Sequence, residues 1–272
     1  DQAVKLGGGF PDGPAKLADD AGLDTLVDTL ESLQEETGAA RYEVSDGLRE
    51  AAEVGGFYGG EDEGDEVSFD TVRLEYPTEH VAEIVLDRPH QLNTVSPELL
   101  EEFDAALDAV EADDDARALL ITGEGDRAFC AGADAVGMAS KADPIAAVEL
   151  SRTGQDTWGR LEELPIPVVA GIDGFTLGGG MELATCADFR VATERSTFGQ
   201  PEFDLGIIPG WGGTQRLANI VGEGRAKEII FTADHYDPET MAEYGFLNEV
   251  VGNDELRETA LEMAEDLAAG PP

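Results

Sequence analysis

A change of hydrophobic pattern near residue 70 is the feature that most constrains how this chain can fold. Before it, the apolar residues of 23–33 recur at three- and four-residue spacing, which predicts an amphipathic helix that ends near Gly38. After it, short apolar runs alternate with longer segments of helical periodicity. Because strands that alternate with helices form a sheet covered by helices, we predict an α/β fold preceded by a small all-helical segment.

The elements can be placed approximately from this pattern. Strands are predicted at residues 71–77, 81–89, 118–125, 167–174 and 189–196, the first two joined by a tight turn. Helices are predicted at 46–54, 97–110, 144–163, 179–187, 213–221, 224–232, 238–245 and 254–268. Ser96 and Pro97 have the residue types that cap and open a helix. The glycine-rich, acidic stretch at 55–66 predicts a linker between two domains.

The net charge of the chain limits the kinds of molecule that it can bind. The chain has 59 Asp and Glu residues against 17 Lys and Arg, for a formal net charge of −42. Phosphate binding needs a basic face, so nucleic acid is excluded as a partner. The acids are spread along the chain, which predicts a halophilic, cytoplasmic protein; an acidic surface for a cationic partner is the alternative. No apolar run approaches 20 residues, so we expect no membrane span, and the first residues lack the pattern of a signal peptide.

The cysteines and histidines give no metal-binding pattern. Cys130 and Cys186 lie in apolar contexts without CxxC spacing, and the histidines are His80, His90 and His235. We therefore expect no metal site and two buried free thiols in a reducing compartment.

The segment TLGGGMELATCADFR, residues 176–190, carries the first candidate chemistry. Its glycines lie where a strand passes into a helix, and unpaired N–H groups at a helix start bind anions or oxygens that become negative in a reaction. A glycine turn that only permits close packing is the alternative. Glu182 stands in an apolar run, where burial would raise its pKa into the range useful for proton transfer. It could equally lie on an exposed edge of the helix.

Two further segments have comparable features. AFCAGADAVGM, residues 128–138, is a loop of small residues after a strand that would expose backbone N–H groups. FGQPEFDLGIIPGWGGTQRL, residues 198–217, carries Glu202 before a glycine-rich turn. Taken alone, Glu202 is typical of a solvated loop acid.

Taken in order, these segments resemble the enoyl-CoA hydratase (crotonase) family. The resemblance covers residues from about 70 to 272 and rests on DRPHQLNTV, AFCAGAD, PIPVVAGIDGFTLGGGMELATCADFRVA, FGQPEFDLGIIPGWGGTQRL and GFLNEVV. It implies a crotonase-like spiral of ββα units at residues 71–272. Family members usually continue for about three more helices, so the resemblance implies truncated C-terminal helices and a fragment.

The resemblance also assigns residues. It implies an oxyanion hole from the N–H groups of Ala133 and Gly179, catalytic glutamates at Glu182 and Glu202, and water positioning by Gly210. Residues along the CoA moiety would be Gln91, Leu92, Ala131, Asp134, Ala135 and Val136. His90 departs from the Lys or Arg common in the family, which puts a salt bridge to a CoA phosphate there in doubt.

The implied activity is hydration of a trans-2-enoyl-CoA to a 3-hydroxyacyl-CoA in fatty-acid β-oxidation. The acyl-CoA thioester would be the substrate, and no separate cofactor or metal would be needed. Both glutamates argue for hydration, but isomerisation and thioester hydrolysis on the same scaffold stay open. A trimer-based homo-oligomer is implied as well.

Residues 1–60 resemble a different family, the C-terminal helical domain of 3-hydroxyacyl-CoA dehydrogenases. The resemblance rests on GGGFPDGPAKLADDAGLDTL and on EETGAARYEVSDGLREAAEVGGFYG, and residues 61–70 would be an acidic linker. GGGFPDG does not follow a predicted strand and does not have G-x-G-x-x-G spacing, so no NAD site is expected in this chain. The chain would be part of a fused dehydrogenase–hydratase, or a non-catalytic module that assembles with a dehydrogenase domain.

Overall fold

The computed structural model describes residues 23–37, 44, 69–134 and 144–270 of the chain. The chain divides into two compact units, Asp1–Ser68 and Phe69–Pro272. In the first unit, the described helix covers the segment in which the leucine spacing predicts one. The predicted helix at 46–54 and the predicted helix end at Gly38 lie outside the described residues.

The described elements alternate between helices and strands, as expected for an α/β fold. The helices are α1 (Leu23–Thr37), α2 (Pro97–Ala112), α3 (Pro144–Glu163), α4 (Gly179–Cys186), α5 (Gly213–Val221), α6 (Glu223–Thr232), α7 (Pro238–Glu243) and α8 (Leu256–Ala268). The strands are β1 (Val72–Thr78), β2 (Val81–Leu86), β3 (Ala118–Gly123), β4 (Ala128–Cys130), β5 (Val168–Ile172), β6 (Phe175–Leu177), β7 (Phe189–Thr193), β8 (Thr197–Gly199) and β9 (Glu249–Val251).

Two sheets organise the second unit. The larger sheet has six strands in the order β1-β2-β3-β5-β7-β9. Its β1–β2 pair is the predicted antiparallel hairpin, and the other neighbours are parallel. The smaller sheet is β4-β6-β8, with parallel neighbours. Parallel strands are buried on both faces, which explains why β2, β3 and β5 have nearly continuous apolar sequences.

The inner face of the larger sheet holds the main core. Helix α2 begins where the sequence predicts, because Ser96 Oγ accepts a hydrogen bond from the Leu99 N–H and Pro97 stands in the first turn. Its buried Phe103 meets Trp158 of α3 edge to face, and Trp158 meets Trp211 in the same way. This aromatic contact ties α2 and α3 to the segment before α5, beside the site described below.

The outer face of the larger sheet is covered by α8. Ala260 and Ala264 pack on Leu120 of β3 and Val169 of β5, and small alanines let the helix approach the sheet closely. The two faces of the sheet therefore have separate cores. The α/β fold class is confirmed.

The three-residue strands are the part of the fold that the sequence does not predict. Residues 128–130, expected to belong to a loop, form β4, and β6, β8 and β9 were not predicted as strands. A three-residue strand is too short to show an alternating pattern, and pairing with distant segments stabilises it. No described helix is long and apolar enough to cross a bilayer.

Candidate active site

The glycines of residues 178–180 join β6 to α4. Gly178 has a φ of 52°, a backbone conformation that favours glycine. A Cβ at Gly179 would overlap the Trp211 ring, and one at Gly180 would overlap the Cys130 carbonyl oxygen. The glycines therefore permit close packing, as one interpretation of the sequence expected. The N–H groups in the first turn of α4 have no partner within the helix.

A second set of backbone donors comes from the segment after β4. The Val95 N–H donates to the Gly132 carbonyl at 2.8 Å, and the Asp134 N–H donates to the Val95 carbonyl at 2.9 Å. Ala133 lies between these two bonds. A Cβ at Gly132 would lie 3.5 Å from the Gly179 nitrogen, so the two segments are neighbours. Within the described residues, the N–H groups of Ala133 and Gly179 have no backbone acceptor.

Glu182 is buried in the first turn of α4, with 2% of its surface exposed. Its Oε1 accepts hydrogen bonds from the Trp211 N–H at 2.7 Å and the Gly213 N–H at 2.8 Å. Burial raises the pKa of this carboxyl group, whereas the two amides and the Arg216 charge act in the opposite direction. The alternative in which Glu182 lies on an exposed helix edge is wrong.

Glu202 is buried too, at 8% exposure, in the short 3-10 turn Pro201–Leu205. Burial, assisted by the negative charge of Glu182, raises its pKa to about 7. The side-chain amide of Gln200 is fully buried beside it and, with its nitrogen turned to Glu202, donates to both carboxylate oxygens at 2.9 Å. The interpretation of Glu202 as a solvated loop acid is wrong.

The two carboxyl groups lie close to each other and to the start of α4. A Cβ at Gly178 would lie 3.0 Å from Glu202 Oε1, which puts this carboxyl group at the start of α4. A Cβ at Gly213 would lie 3.0 Å from Glu182 Oε1 and 3.1 Å from the side-chain amide of Gln200, so Gln200 lies between the glutamates. Two buried carboxyl groups with different hydrogen-bond environments, next to free backbone donors, can perform acid–base chemistry on a carbonyl compound.

Gly210 belongs to the turn that holds Glu182. Its carbonyl accepts hydrogen bonds from Ser151 Oγ at 2.8 Å and Gln155 Nε2 at 2.6 Å. Its N–H is one of the groups that lower the pKa of Glu182. The carbonyl is therefore fixed by α3 while the N–H faces the glutamate.

The segment with Gln91 and Leu92 lies next to the oxyanion segment. The Ala131 N–H donates to the Leu92 carbonyl at 3.0 Å. Arg88 bonds to Gln91 and forms an ion pair with Asp134 at 3.4 Å. The structure thus brings Gln91, Leu92, Ala131 and Asp134 together. Ala135 and Val136, also predicted along the CoA moiety, lie outside the described residues.

Asn93 fixes this segment, a structural role that was not predicted. Its side-chain amide donates to the carbonyl oxygens of Glu124 at 3.0 Å and Ala128 at 2.8 Å, and its oxygen accepts from the Arg88 N–H at 2.9 Å. These bonds stabilise the left-handed backbone at Leu92 and Asn93, whose φ values are 55° and 53°. Gln200 and Arg216 were also missed. Their only sequence signal is that they lie within the segment that carries Glu202.

Other polar groups lie away from this site. A cleft of about 350 Å³ on the outer face of the larger sheet is bounded by Glu83, Thr122, Gly171 and Arg257 and does not include the two glutamates. Asp70, Glu98 and Glu102 come close enough together to hold a cation, but Glu102 already accepts hydrogen bonds from the Asp70 and Thr71 N–H groups. Glu102 thus holds the chain at the start of β1.

The cysteines have the predicted environment. Cys130 and Cys186 are free and buried, and burial raises the pKa of each thiol to about 12. At neutral pH both thiols are protonated and unreactive, because the thiolate is the nucleophile.

Comparison with known proteins shows similarity over most of the chain. The chain is 40% identical over 192 residues to the short-chain-enoyl-CoA hydratase of Clostridium acetobutylicum, covering 71% of this chain and 73% of that protein. It is 40% identical over 190 residues to the crotonyl-CoA hydratase of Syntrophomonas wolfei, covering 70% of this chain and 72% of that protein. The crystal structure of enoyl-CoA hydratase from Bacillus anthracis matches with a TM-score of 0.72 and 40% identity, over 74% of this chain and 78% of that one.

Family models match both parts of the sequence. Residues 1–64 match the 3-hydroxyacyl-CoA dehydrogenase C-terminal domain, as the resemblance of the first residues predicted. Residues 77–272 match enoyl-CoA hydratase/isomerase, which is most of the chain. The chain therefore belongs to the enoyl-CoA hydratase/isomerase family.

Proposed function

We propose that this protein hydrates trans-2-enoyl-CoA thioesters to 3-hydroxyacyl-CoA thioesters, as a step of fatty-acid β-oxidation. The observation that carries the proposal is the burial of two glutamates beside the N–H groups of Ala133 and Gly179, which have no backbone acceptor among the described residues. The names of the two similar proteins, a short-chain-enoyl-CoA and a crotonyl-CoA hydratase, favour short acyl chains.

The oxyanion hole begins the chemistry. The thioester oxygen accepts hydrogen bonds from the Ala133 and Gly179 N–H groups, and the positive end of α4 adds to their field. Electron density moves from the double bond towards this oxygen, so Cβ becomes electrophilic. Gln91, Leu92, Ala131, Asp134, Ala135 and Val136 hold the CoA moiety.

The glutamates then add water across the double bond. Glu182 has three backbone N–H groups that favour its ionised form, so it takes a proton from the water that attacks Cβ. Glu202, with a pKa of about 7, is protonated in a large fraction of molecules near neutrality and gives its proton to Cα. The C–O and C–H bonds form as the double bond is lost. Gly210 positions the water.

Turnover of crotonyl-CoA in molar KCl tests this proposal. Loss of the enoyl absorbance with formation of 3-hydroxybutyryl-CoA, identified by mass and retention time, is the expected result. Glu202→Gln and Glu182→Gln should each lower kcat by about 100-fold or more, because general acid–base catalysis contributes at least this factor. Full activity in both variants would refute the assignment. An isomerised enoyl-CoA or free CoA as product would instead indicate isomerisation or thioester hydrolysis.

The cellular setting is part of the proposal. We infer a halophilic, cytoplasmic enzyme from the net charge of −42.

The hydratase domain occupies residues 71–272 after a linker at 61–70, and it needs no metal and no NAD. Phe203, Leu205, Ile207, Ile208 and Phe231 are exposed apolar residues, which supports association with other chains, and we propose that the assembly is a trimer. Light scattering in molar KCl should give a mass of three chains, and a monomer mass would contradict this part.

A second candidate function follows from the match of residues 1–64 to a dehydrogenase domain. In this candidate, residues 1–60 dock a 3-hydroxyacyl-CoA dehydrogenase partner, and the chain serves as an assembly module. Mixing the chain with a separately expressed dehydrogenase domain and measuring association would test it. Binding without hydration would favour the module, whereas hydration with or without binding favours the enzyme.

A further inference from the structure

The turn at residues 210–213 decides how Glu182 is held. Trp211 and Gly213 direct their N–H groups at Glu182 Oε1, at 2.7 and 2.8 Å. Neither bond exists unless the peptide units of this turn keep their orientation, because a rotation about Gly212 would turn the Gly213 N–H away. Gly212 has a φ of 107°. Because glycine adopts many backbone conformations with similar ease, Gly212 alone does not fix the orientation of this turn.

Arg216 is the side chain that holds the turn. Its Nη1 donates to the Trp211 carbonyl at 2.8 Å, and its Nε donates to Glu162 Oε2 of α3 at 2.6 Å. The guanidinium lies against Gly212, where a Cβ would overlap Nη1. Arg216 therefore connects α5, the turn and α3. The planar guanidinium can do this because it donates in fixed directions.

Among the described residues, three charged side chains and one thiol near Glu182 come from the elements packed around it. Glu202 follows β8, Arg216 lies on α5, Glu162 lies on α3, and Cys186 lies on α4 itself. Cys186 is a neutral thiol at physiological pH, and Glu162 is half exposed and paired with Arg216. Of these groups, Arg216 is the cation that favours the ionised form of Glu182.

We propose that Arg216 is a positioning residue for the hydration reaction, which holds the 210–213 turn so that its N–H groups bind Glu182 as a carboxylate. The inference rests on the proposed function, since it assigns Glu182 the role of the base. Arg216 does not touch the substrate in this assignment. It acts through the Trp211 carbonyl and through its charge.

Replacement of Arg216 should change the way in which kcat/KM depends on pH. Glu182 must be ionised to accept a proton from water, so kcat/KM falls at low pH as Glu182 becomes protonated. Replacing Arg216 with a neutral residue removes a favourable charge and loosens the turn, which raises the pKa of Glu182. The acid limb of the kcat/KM profile then moves to higher pH by about one unit, the low end of the effect of a nearby opposite charge. KM should change little.

The test compares Arg216→Met, Arg216→Lys and Arg160→Met in the full chain. Arg216→Met should shift the acid limb upward, and Arg216→Lys should shift it less, because it keeps the charge but loses the paired hydrogen bonds. Arg160 is the matched control: it lies on the same helix as Glu162 and forms ion pairs with Asp104, Asp108 and Glu111 of α2. Arg160→Met should leave the acid limb in place. Circular dichroism checks that each variant is folded.

An acid limb that stays in place in folded Arg216→Met, or an equal shift in Arg160→Met, would overturn the inference. If Arg216→Met does not fold, the comparison of Arg216→Lys with wild type decides. A ¹³C-NMR titration of labelled glutamate side chains provides a readout that does not require turnover. With it, a wild-type protein without hydratase activity would reject the proposed function, whereas an unchanged Glu182 titration in Arg216→Met would reject the role of Arg216.

Discussion

Glu182 and Glu202 have the same side chain but different surroundings. Glu182 Oε1 accepts two backbone hydrogen bonds and lies near a cation, all of which favour its ionised form. Glu202 lies close enough to Glu182 that the negative charge of one raises the pKa of the other. Burial raises the pKa of both carboxyl groups, but backbone N–H groups and Arg216 oppose this effect at Glu182, whereas the charge of Glu182 adds to it at Glu202.

Glu202 should make the stability of the protein depend on pH. Its pKa is about 7 in the folded state against 4.5 unfolded, so the folded state binds the proton more tightly. The stabilisation is fully present below about pH 4.5 and is lost as the pH rises through about 7. Glu202→Gln, which removes the buried charge, should therefore raise the free energy of unfolding at pH 8 by about 3 kcal/mol and change it little at pH 4.5. Urea unfolding at both pH values measures this. An equal effect at both would contradict the prediction.

At the scale of elements, α8 is attached to the larger sheet by a buried carboxylate. Glu83 of β2 is fully buried, and its Oε1 accepts hydrogen bonds from Thr122 Oγ1 at 2.7 Å and from Arg257 of α8. Within the described residues, Oε2 of Glu83 has no hydrogen-bond partner. Arg257 is therefore the counter-charge of a buried carboxylate.

Removal of this counter-charge should be costly. Arg257→Met should lower the free energy of unfolding by about 2 kcal/mol, less than for a fully buried pair because Arg257 is half exposed. Lys227→Met, which breaks the exposed pair with Glu223, is the control and should change little. Urea unfolding of both variants at pH 7 makes the comparison. Equal stability of the two would show that Glu83 does not depend on Arg257.

The sequence predicted the helices of the site but not its short strands. Helices α4 and α5 were placed correctly, because their apolar spacing and glycines are local signals. The small sheet β4-β6-β8 was not predicted. Its strands β6 and β8 come directly before Gly178 and Gln200 and therefore position these two residues. Its strands are defined by pairing between residues such as Cys130 and Thr176, which no local pattern reveals.

At the scale of the whole molecule, the net charge of −42 opposes folding at low salt. Repulsion among exposed carboxylates is screened once the Debye length falls from about 10 Å at 0.1 M to about 3 Å at 1 M. The midpoint of thermal unfolding should therefore rise between 0.1 and 1 M KCl, by roughly 10 °C or more, and level off towards 2 M, because repulsion acts only while it is unscreened. Differential scanning fluorimetry measures this. A midpoint that does not depend on KCl would contradict both the repulsion and the halophilic assignment.

The sequence alone determined the α/β class, most helices, the inner strands and the identity of Glu182 and Glu202 as candidates. These follow from hydrophobic spacing, from glycines at a strand–helix junction and from a family resemblance, all of which are read along the chain. Only the tertiary structure decided that Glu202 is buried and that Gln200 and Arg216 serve the same site. It also decided that the Trp211 N–H meets Glu182 from 29 positions away. The pKa of a carboxyl group depends on which atoms surround it in space, and the chain brings those atoms together only when it folds.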